Sequence, residues 1–156
     1  MVQEALKPTL TTRSPAWSPA RVYLVGSGVL LLVLTVAGFA VSTAFPTARD
    51  QVASGSEHIF GVFETNGWHN VAALFSAVVA FGFALRPEWS RTGALVKGAA
   101  YVVVTAAIAL SGDDTFLVAS NNADQVIHGS LAVGGLLSGL LTRPQKRTRQ
   151  DIQRVA

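Results

Sequence analysis

The sequence contains no cysteine among its 156 residues, and charged residues make up only 13% of it. Without cysteine, the chain has no disulfide bonds, no thiolate metal site and no cysteine nucleophile. Soluble domains usually carry about a quarter charged residues, well above this value. The motifs of phosphate-binding loops, HExxH metalloproteases and nucleophile elbows are also missing. Nothing in the sequence supports hydrolytic chemistry, and we assign no catalytic or metal-binding residue.

The sequence contains four long apolar segments with few charged residues, at residues 22–45, 68–85, 93–110 and 126–141. A helix rises about 1.5 Å per residue, so about 20 residues cross a hydrocarbon core of about 30 Å. The first run exceeds the apolar region of about 7–15 residues in a signal peptide, so we predict a retained helix. We therefore predict an all-α fold, a bundle of four transmembrane helices near residues 22–45, 66–85, 92–110 and 122–141.

The basic residues predict how these helices are oriented. Eleven of the twelve Lys and Arg residues lie before the first run, around the loop between the second and third runs, or after the fourth. The other two loops contain only Arg49. By the positive-inside rule, both termini are cytoplasmic in a bacterial inner membrane. The predicted parts are a disordered tail over residues 1–21, a membrane domain over 22–141 and a basic tail over 142–156, while Lys97 snorkels toward the middle loop.

Two segments separated by 55 residues resemble each other. They lie at the starts of the second and fourth predicted helices, and Asn70 of the first segment aligns with Gln125 of the second. The identical pairs are Asn66 and Asn121, Val71 and Val126, Ala77 and Ala132, and Val78 and Val133. Repeats that run in the same direction occur in membrane proteins built from related helical units. We therefore predict that the bundle consists of two parallel-repeat helical hairpins.

Two stretches carry a resemblance to a known family. They are GVFETNGWHNVA, which leads into the second helix, and ASNNADQVIHGSLAVGG, which begins the fourth. With the basic loop between them, they resemble the bacterial membrane family called domain of unknown function 4383 over roughly residues 23–141. The positions that carry the resemblance are Phe63, Asn66, His69, Asn70, Asn121, Ala123, Asp124 and His128. The family's typical form has a further histidine where this chain has Ala73, and the resemblance implies a fold but no activity.

Polar residues at the starts of the second and fourth helices are predicted caps. A helix begins with about four N–H groups that lack partners, and a membrane offers no water to satisfy them. Asparagine side chains accept hydrogen bonds from such groups, so Asn66, Asn121 and Asn122 are the predicted caps. An acidic side chain in a first turn, such as that of Asp124, is favoured by the helix dipole.

A further set of polar residues beside these caps is a candidate site. The predicted cluster consists of His69, Asn70, Asp124, His128 and Glu64, at the outer face. His128 follows Asp124 by four residues, so their side chains share one face of the helix. Ionisable groups within a span usually face the interior of the bundle. The cluster is either a structural hydrogen-bond network, which is the simpler interpretation, or an external binding site.

Small residues predict how the fourth helix packs. Ala132, Gly135 and Gly139 continue the face of His128 and allow a neighbouring helix to approach closely. The second helix carries similar small residues, which favours packing between these two helices. Tyr101, near the middle of the third helix, is predicted to hydrogen-bond to a neighbouring helix, with a proton or quinone path as the alternative.

These features favour a non-enzymatic structural or accessory membrane protein without a cofactor. One alternative is a redox subunit associated with quinone or haem b; the other is a proton or small-solute pathway through the polar cluster. The repeat places His69 level with Asp124, about 6 Å along the axis from the depth of His128, which disfavours haem ligation by both histidines. The expected partners are the lipid bilayer, anionic lipid at the basic C-terminal tail, and a second copy or another membrane protein, but no nucleic acid.

We predict that alkaline phosphatase fused after Arg154 is inactive in cells. The reporter would remain in the cytoplasm with the basic tail, and its disulfide bonds do not form in that reducing compartment. A phosphatase assay on colonies measures this directly. Periplasmic activity from this fusion would overturn the predicted orientation.

Overall fold

The computed structural model describes residues 17–111 and 117–144, and most of them are helical. In chain order the elements are helix α1 (Pro19–Val41), a 3-10 turn (Arg49–Gln51), the short helix α2 (Val52–Gly55), strands β1 (Glu57–Ile59) and β2 (Phe63–Thr65), and helices α3 (Gly67–Ala84), α4 (Pro87–Ser111) and α5 (Asn122–Leu141). The predicted tails fall largely outside the described residues, at 1–16 and 145–156.

Two of the long helices begin before their apolar runs because the preceding residues favour a helix start. α1 begins at Pro19, and the hydroxyl of Ser18 accepts a hydrogen bond from the N–H of Arg21 at 3.3 Å. α4 begins at Pro87, with Glu88 in its first turn. Proline suits a first turn, where a missing N–H costs no helical bond, and an acidic residue there is favoured by the helix dipole. Hydropathy does not register these signals, so the sequence analysis put the two starts at residues 22 and 92.

The residues between α1 and α3 form a small folded cap. The hydroxyl of Ser42, directly after α1, donates to the carbonyl of Gly55 at 3.1 Å. β1 and β2 pair antiparallel, with Ile59 opposite Phe63, and the turn between them includes Gly61 at a φ of 71°. This two-stranded sheet corrects the prediction of an all-α fold. Strands of three residues are too short to reveal an alternating pattern in the sequence.

The long helices of the described residues pack antiparallel to their neighbours in sequence. Ala20 and Leu24, near the start of α1, pack close to Ala84 at the end of α3. Further along, Leu31 of α1 packs against Ala77 of α3. α4 lies against α5, and α1 also contacts both of these helices. The core between the helices is therefore built mainly from small side chains, which permit close approach.

Backbones approach closely between α4 and α5. A Cβ atom added at Gly135 would lie 2.7 Å from the Cα of Gly98, and one added at Gly98 would lie 3.0 Å from the carbonyl oxygen of Ala132. A Cβ atom added at Gly139 would lie 2.6 Å from the side chain of Leu95. These contacts leave no room for a side chain, so glycine is needed here. The small-residue face of α5 thus packs against α4, whereas the sequence favoured the second apolar helix, α3.

The surface of the described residues is largely apolar. Three helices there, α1, α3 and α4, are long and apolar enough to cross a membrane. α5 is not among them, because Asp124, Gln125 and His128 in its first two turns lower its mean hydropathy. Examples of exposed large apolar side chains are Val36, Phe75, Val103 and Leu140. Exposed apolar faces with buried polar groups suit a hydrocarbon environment.

Replacing Gly135 with alanine is expected to destabilise the protein in detergent by about 1–3 kcal/mol, because the added methyl group forces α4 and α5 apart. Gly129→Ala in the same helix is the matched control, since a Cβ atom at Gly129 has nothing within 4 Å. The thermal midpoints of the two purified variants measure the difference. Equal midpoints would show that the helices do not meet at Gly135.

Candidate functional site at two helix N-termini

Asparagine side chains cap the N-termini of α3 and α5. Asn66 precedes α3, and its Oδ1 accepts a hydrogen bond from the N–H of His69 at 3.0 Å. Asn121 precedes α5, and its Oδ1 accepts from the N–H groups of Ala123 at 2.9 Å and Asp124 at 3.2 Å. Oδ2 of Asp124 accepts in return from the N–H of Asn121 at 2.9 Å, which completes a capping box. Asn122, also predicted as a cap, is the first residue of α5 and is exposed.

The same two asparagines join the loops in front of the helices. Nδ2 of Asn66 donates to the carbonyl of Leu117 at 2.9 Å, and Nδ2 of Asn121 donates to the carbonyl of Val62 at 2.8 Å. We call this pair the reciprocal asparagine bonds. The two donors, Asn66 and Asn121, are 55 residues apart, and the two acceptors, Val62 and Leu117, are also 55 residues apart. Each helix start is therefore fixed to the loop that precedes the other helix.

A second pair of hydrogen bonds follows the same spacing. The hydroxyl of Thr65 donates to Oδ1 of Asn70 at 2.7 Å, and Nε2 of Gln125 donates to the hydroxyl of Ser120 at 3.2 Å. Nδ2 of Asn70 also donates to the carbonyl of Ser42 at the end of α1, at 3.0 Å. The amide of Asn70 is thus engaged at both ends, so this member of the predicted cluster anchors α3 to α1.

Four members of the predicted cluster line one cavity. His69, Asn70, Asp124 and His128 surround a space of about 30 Å³, together with apolar residues that include Leu31 of α1. A single water molecule needs a cavity of about 10–15 Å³, so this cavity has room for about two water molecules. The structure thus brings these four side chains together, whereas the side chain of Glu64 is not part of the lining.

Glu64 contributes to the site through its backbone. Nδ1 of His69 lies 3.0 Å from the carbonyl oxygen of Glu64. Because a carbonyl only accepts, Nδ1 carries the hydrogen of this bond. The Asp124 carboxylate interacts electrostatically with both His69 and Glu64. The bond to Glu64 therefore sets the orientation of the His69 ring beside the carboxylate.

His128 is the least satisfied polar residue of the cavity. Its side chain is only 8% exposed, and its Nδ1 has no hydrogen-bond partner among the described residues. The centroid of its ring lies 6.0 Å from that of His69 and 5.6 Å from that of Tyr101. Buried polar atoms usually have a hydrogen-bond partner in the protein or in ordered water. The environment of His128 is therefore suited to a bound water molecule or a small polar solute.

Lys97 and Ser76 extend the polar region, and the sequence analysis did not identify this extension. Lys97 is 5% exposed, and its Nζ donates to Oγ of Ser76 in α3 at 2.6 Å. Nζ also lies 5.0 Å above the centroid of the Tyr101 ring, whose hydroxyl is 3.0 Å from the same Oγ. Lys97 thus does not snorkel toward the middle loop. In the sequence, this polar region is indicated only by the four-residue spacing of Lys97 and Tyr101, which places both side chains on one face of α4.

The cavity is small compared with pockets that hold larger ligands. Pockets for ligands of drug size are about 300–1,000 Å³, about ten times this space or more. Among the described residues, no group of three His, Asp or Glu side chains is arranged to hold a metal ion.

Comparison with known proteins gives one match. A family model described as Domain of unknown function (DUF4383) matches residues 16–141. No curated protein and no solved structure matches the chain. The matched segment includes every helix and strand described above and the whole polar cavity, and the resemblance predicted from the sequence is confirmed.

Replacing Asp124 with alanine should destabilise the protein by about 1–3 kcal/mol, because the backbone N–H groups of Asn121 and Glu64 lose a buried acceptor. Asp50→Ala is the control, since Asp50 is exposed at the same end of the molecule. Unfolding of both variants in detergent can be followed by circular dichroism. A similar loss in both variants would indicate that Asp124 has no special role.

Proposed function

The chain belongs to the family described as a domain of unknown function, DUF4383, and we propose that it is a non-enzymatic accessory protein of a bacterial inner membrane. In this proposal its extracytoplasmic end carries a small polar binding site. The expected partners are the bilayer, anionic lipid at the basic tail over residues 142–156, and a second copy or another membrane protein.

We propose that α5 is a fourth span beside the three apolar helices. Its 20 residues give a length of about 30 Å, enough for the hydrocarbon core. Asp124 and His128, two of the residues that lower its mean hydropathy, are buried between helices. The side chains that it exposes include Val126, Val133 and Leu137. Since lipid contacts only the exposed face, burial of the polar groups supports a bundle of four transmembrane helices.

The orientation that we propose for this bundle follows from the basic residues at its two ends. The start of α1 and the ends of α3 and α5 lie on one side of the bundle, together with Arg21, Arg86 and Arg143. The polar cavity is on the other side, where the described basic residue is Arg49. Trp89 and Trp68 are exposed at the two opposite ends, as expected for residues at the membrane–water interfaces. The arginine-rich end is therefore cytoplasmic in our proposal, and the cavity faces the extracytoplasmic side.

A binding role, rather than a catalytic one, is supported by how the polar groups of the cavity are engaged. Asp124 is occupied as part of a capping box, and Asn70 is hydrogen-bonded at both ends of its amide. The observation that carries the proposal is the buried His128, which lines a cavity for about two water molecules and whose Nδ1 has no hydrogen-bond partner among the described residues. Its ligand would be water or a small polar solute of similar size.

Single cysteines introduced into this cysteine-free chain test the proposal. In spheroplasts, a membrane-impermeant thiol reagent should label Ser56→Cys and His69→Cys from outside. Glu88→Cys should be labelled only after the membrane is permeabilised, because the start of α4 is cytoplasmic in this proposal. Ala80→Cys, buried between α1 and α3, is the control that should stay unlabelled in the folded protein.

Labelling of His69→Cys only after permeabilisation would overturn the proposed orientation. If His69→Cys remained unlabelled in detergent as well, the site would be inaccessible, and the proposed binding role would be rejected.

A further inference from the structure

Polar side chains continue from the cavity into the interior of the bundle. His128 lines the cavity, and its ring is next to that of Tyr101. The Tyr101 hydroxyl is 3.0 Å from Oγ of Ser76, which is 2.6 Å from Nζ of Lys97. Hydrogen bonds thus join Lys97, Ser76 and Tyr101, and the ring of Tyr101 lies beside that of His128; we call these four residues, from α3, α4 and α5, the polar line. It connects the cavity at one end of the bundle with a buried amine.

Among the described residues, the amine at the end of this line is hydrogen-bonded only to Ser76. Both hydrogen bonds of Lys97 go to Ser76, one to its hydroxyl and one to its carbonyl at 3.3 Å. The face of the Tyr101 ring provides a further favourable contact for the charged form. Among the described residues, the titratable groups that face the polar line or its cavity include His69 from α3, Tyr101 from α4, Asp124 and His128 from α5, and Tyr23 from α1 through its electrostatic contact with Tyr101.

On its other side, Lys97 meets an apolar barrier. The cluster between the polar line and the arginine-rich end consists of Ala20, Leu24, Ala80, Ala84 and Ala94. The five side chains are apolar, and Phe83 lies against Gly93. On this side Lys97 therefore faces mainly apolar packing, whereas hydrogen-bonding side chains lead from it toward the cavity.

We propose that Lys97 binds a proton and exchanges it with the extracytoplasmic solution along the polar line. The inference rests on the proposed function, because it uses the same cavity as the entrance. The ligand of the chain is in this case the hydrogen ion, with water in the cavity as the donor and acceptor.

Each transfer in this exchange conserves atoms and charge. As Lys97 gives a proton to Oγ of Ser76, the Nζ–H bond breaks and its electron pair remains on the amine. Ser76 passes its own hydroxyl proton to the oxygen of Tyr101, and Tyr101 passes its proton through a water molecule to Nδ1 of His128. His128 releases the proton from its other ring nitrogen to water. The reverse sequence protonates the amine again.

The exchange can be measured because lysine is rare in this chain. The three lysines are Lys7, Lys97 and Lys146. The full-length protein, labelled with ¹⁵N-lysine and placed in lipid nanodiscs, gives Nζ signals that Lys97→Arg assigns. The measured quantity is the exchange rate of the Lys97 Nζ protons with water.

Tyr101→Phe should slow this exchange by about tenfold or more, because it removes a relay hydroxyl and keeps the ring. Tyr23→Phe is the matched control, since the hydroxyl of Tyr23 donates to the carbonyl of Leu131 at 2.6 Å and is not part of the polar line. Ser76→Ala is a second test should Tyr101→Phe fail to fold, and it should slow exchange similarly.

An unchanged rate in the line variants, or equal slowing in Tyr23→Phe, would overturn the relay. If His69→Cys is labelled from outside in that case, the outward-facing site stands and only the relay is rejected. If His69→Cys is not labelled, the site on which the relay depends is rejected as well.

Discussion

The rest of the structure depends on the reciprocal asparagine bonds. Asn66 and Asn121 each satisfy N–H groups at a helix start, and each also donates to the loop before the other helix. Two bonds at 2.9 Å and 2.8 Å thereby hold α3 and α5 at one relative position. Because His69 and Asp124 each lie three residues after their cap, this position also brings both side chains to the cavity.

A second constraint determines what lies between the helices. In a membrane, polar groups gain from facing one another, because lipid offers them no partner. Asn70 joins α3 to α1, Tyr23 joins α1 to α5, and Lys97 joins α4 to α3. Small residues such as Gly98 and Gly135 permit this close packing. The same side chains that stabilise the bundle thus create a polar interior, in which Nδ1 of His128 has no hydrogen-bond partner among the described residues.

The sequence predicts those features that depend on residues close together in the chain. Apolar length indicates helices, and asparagine before a helix indicates a cap, as at Asn66 and Asn121. The 55-residue spacing also reappears in the reciprocal bonds. The hairpin over residues 57–65 was missed because its strands are too short to show a period. The contact of Gly135 with Gly98 and the direction of Lys97 depend on which helices are neighbours, and hydropathy does not encode that choice.

A double-mutant cycle on the two caps tests the central claim most directly. Serine also caps helices but is too short to reach the opposite loop, so Asn66→Ser and Asn121→Ser remove the cross-loop bonds and retain a capping residue. Because both bonds join the same two segments, the double variant should lose less stability in detergent than the sum of the single losses. The expected coupling is about 1 kcal/mol. Strictly additive losses would contradict the account, since they would show that the two asparagines act independently.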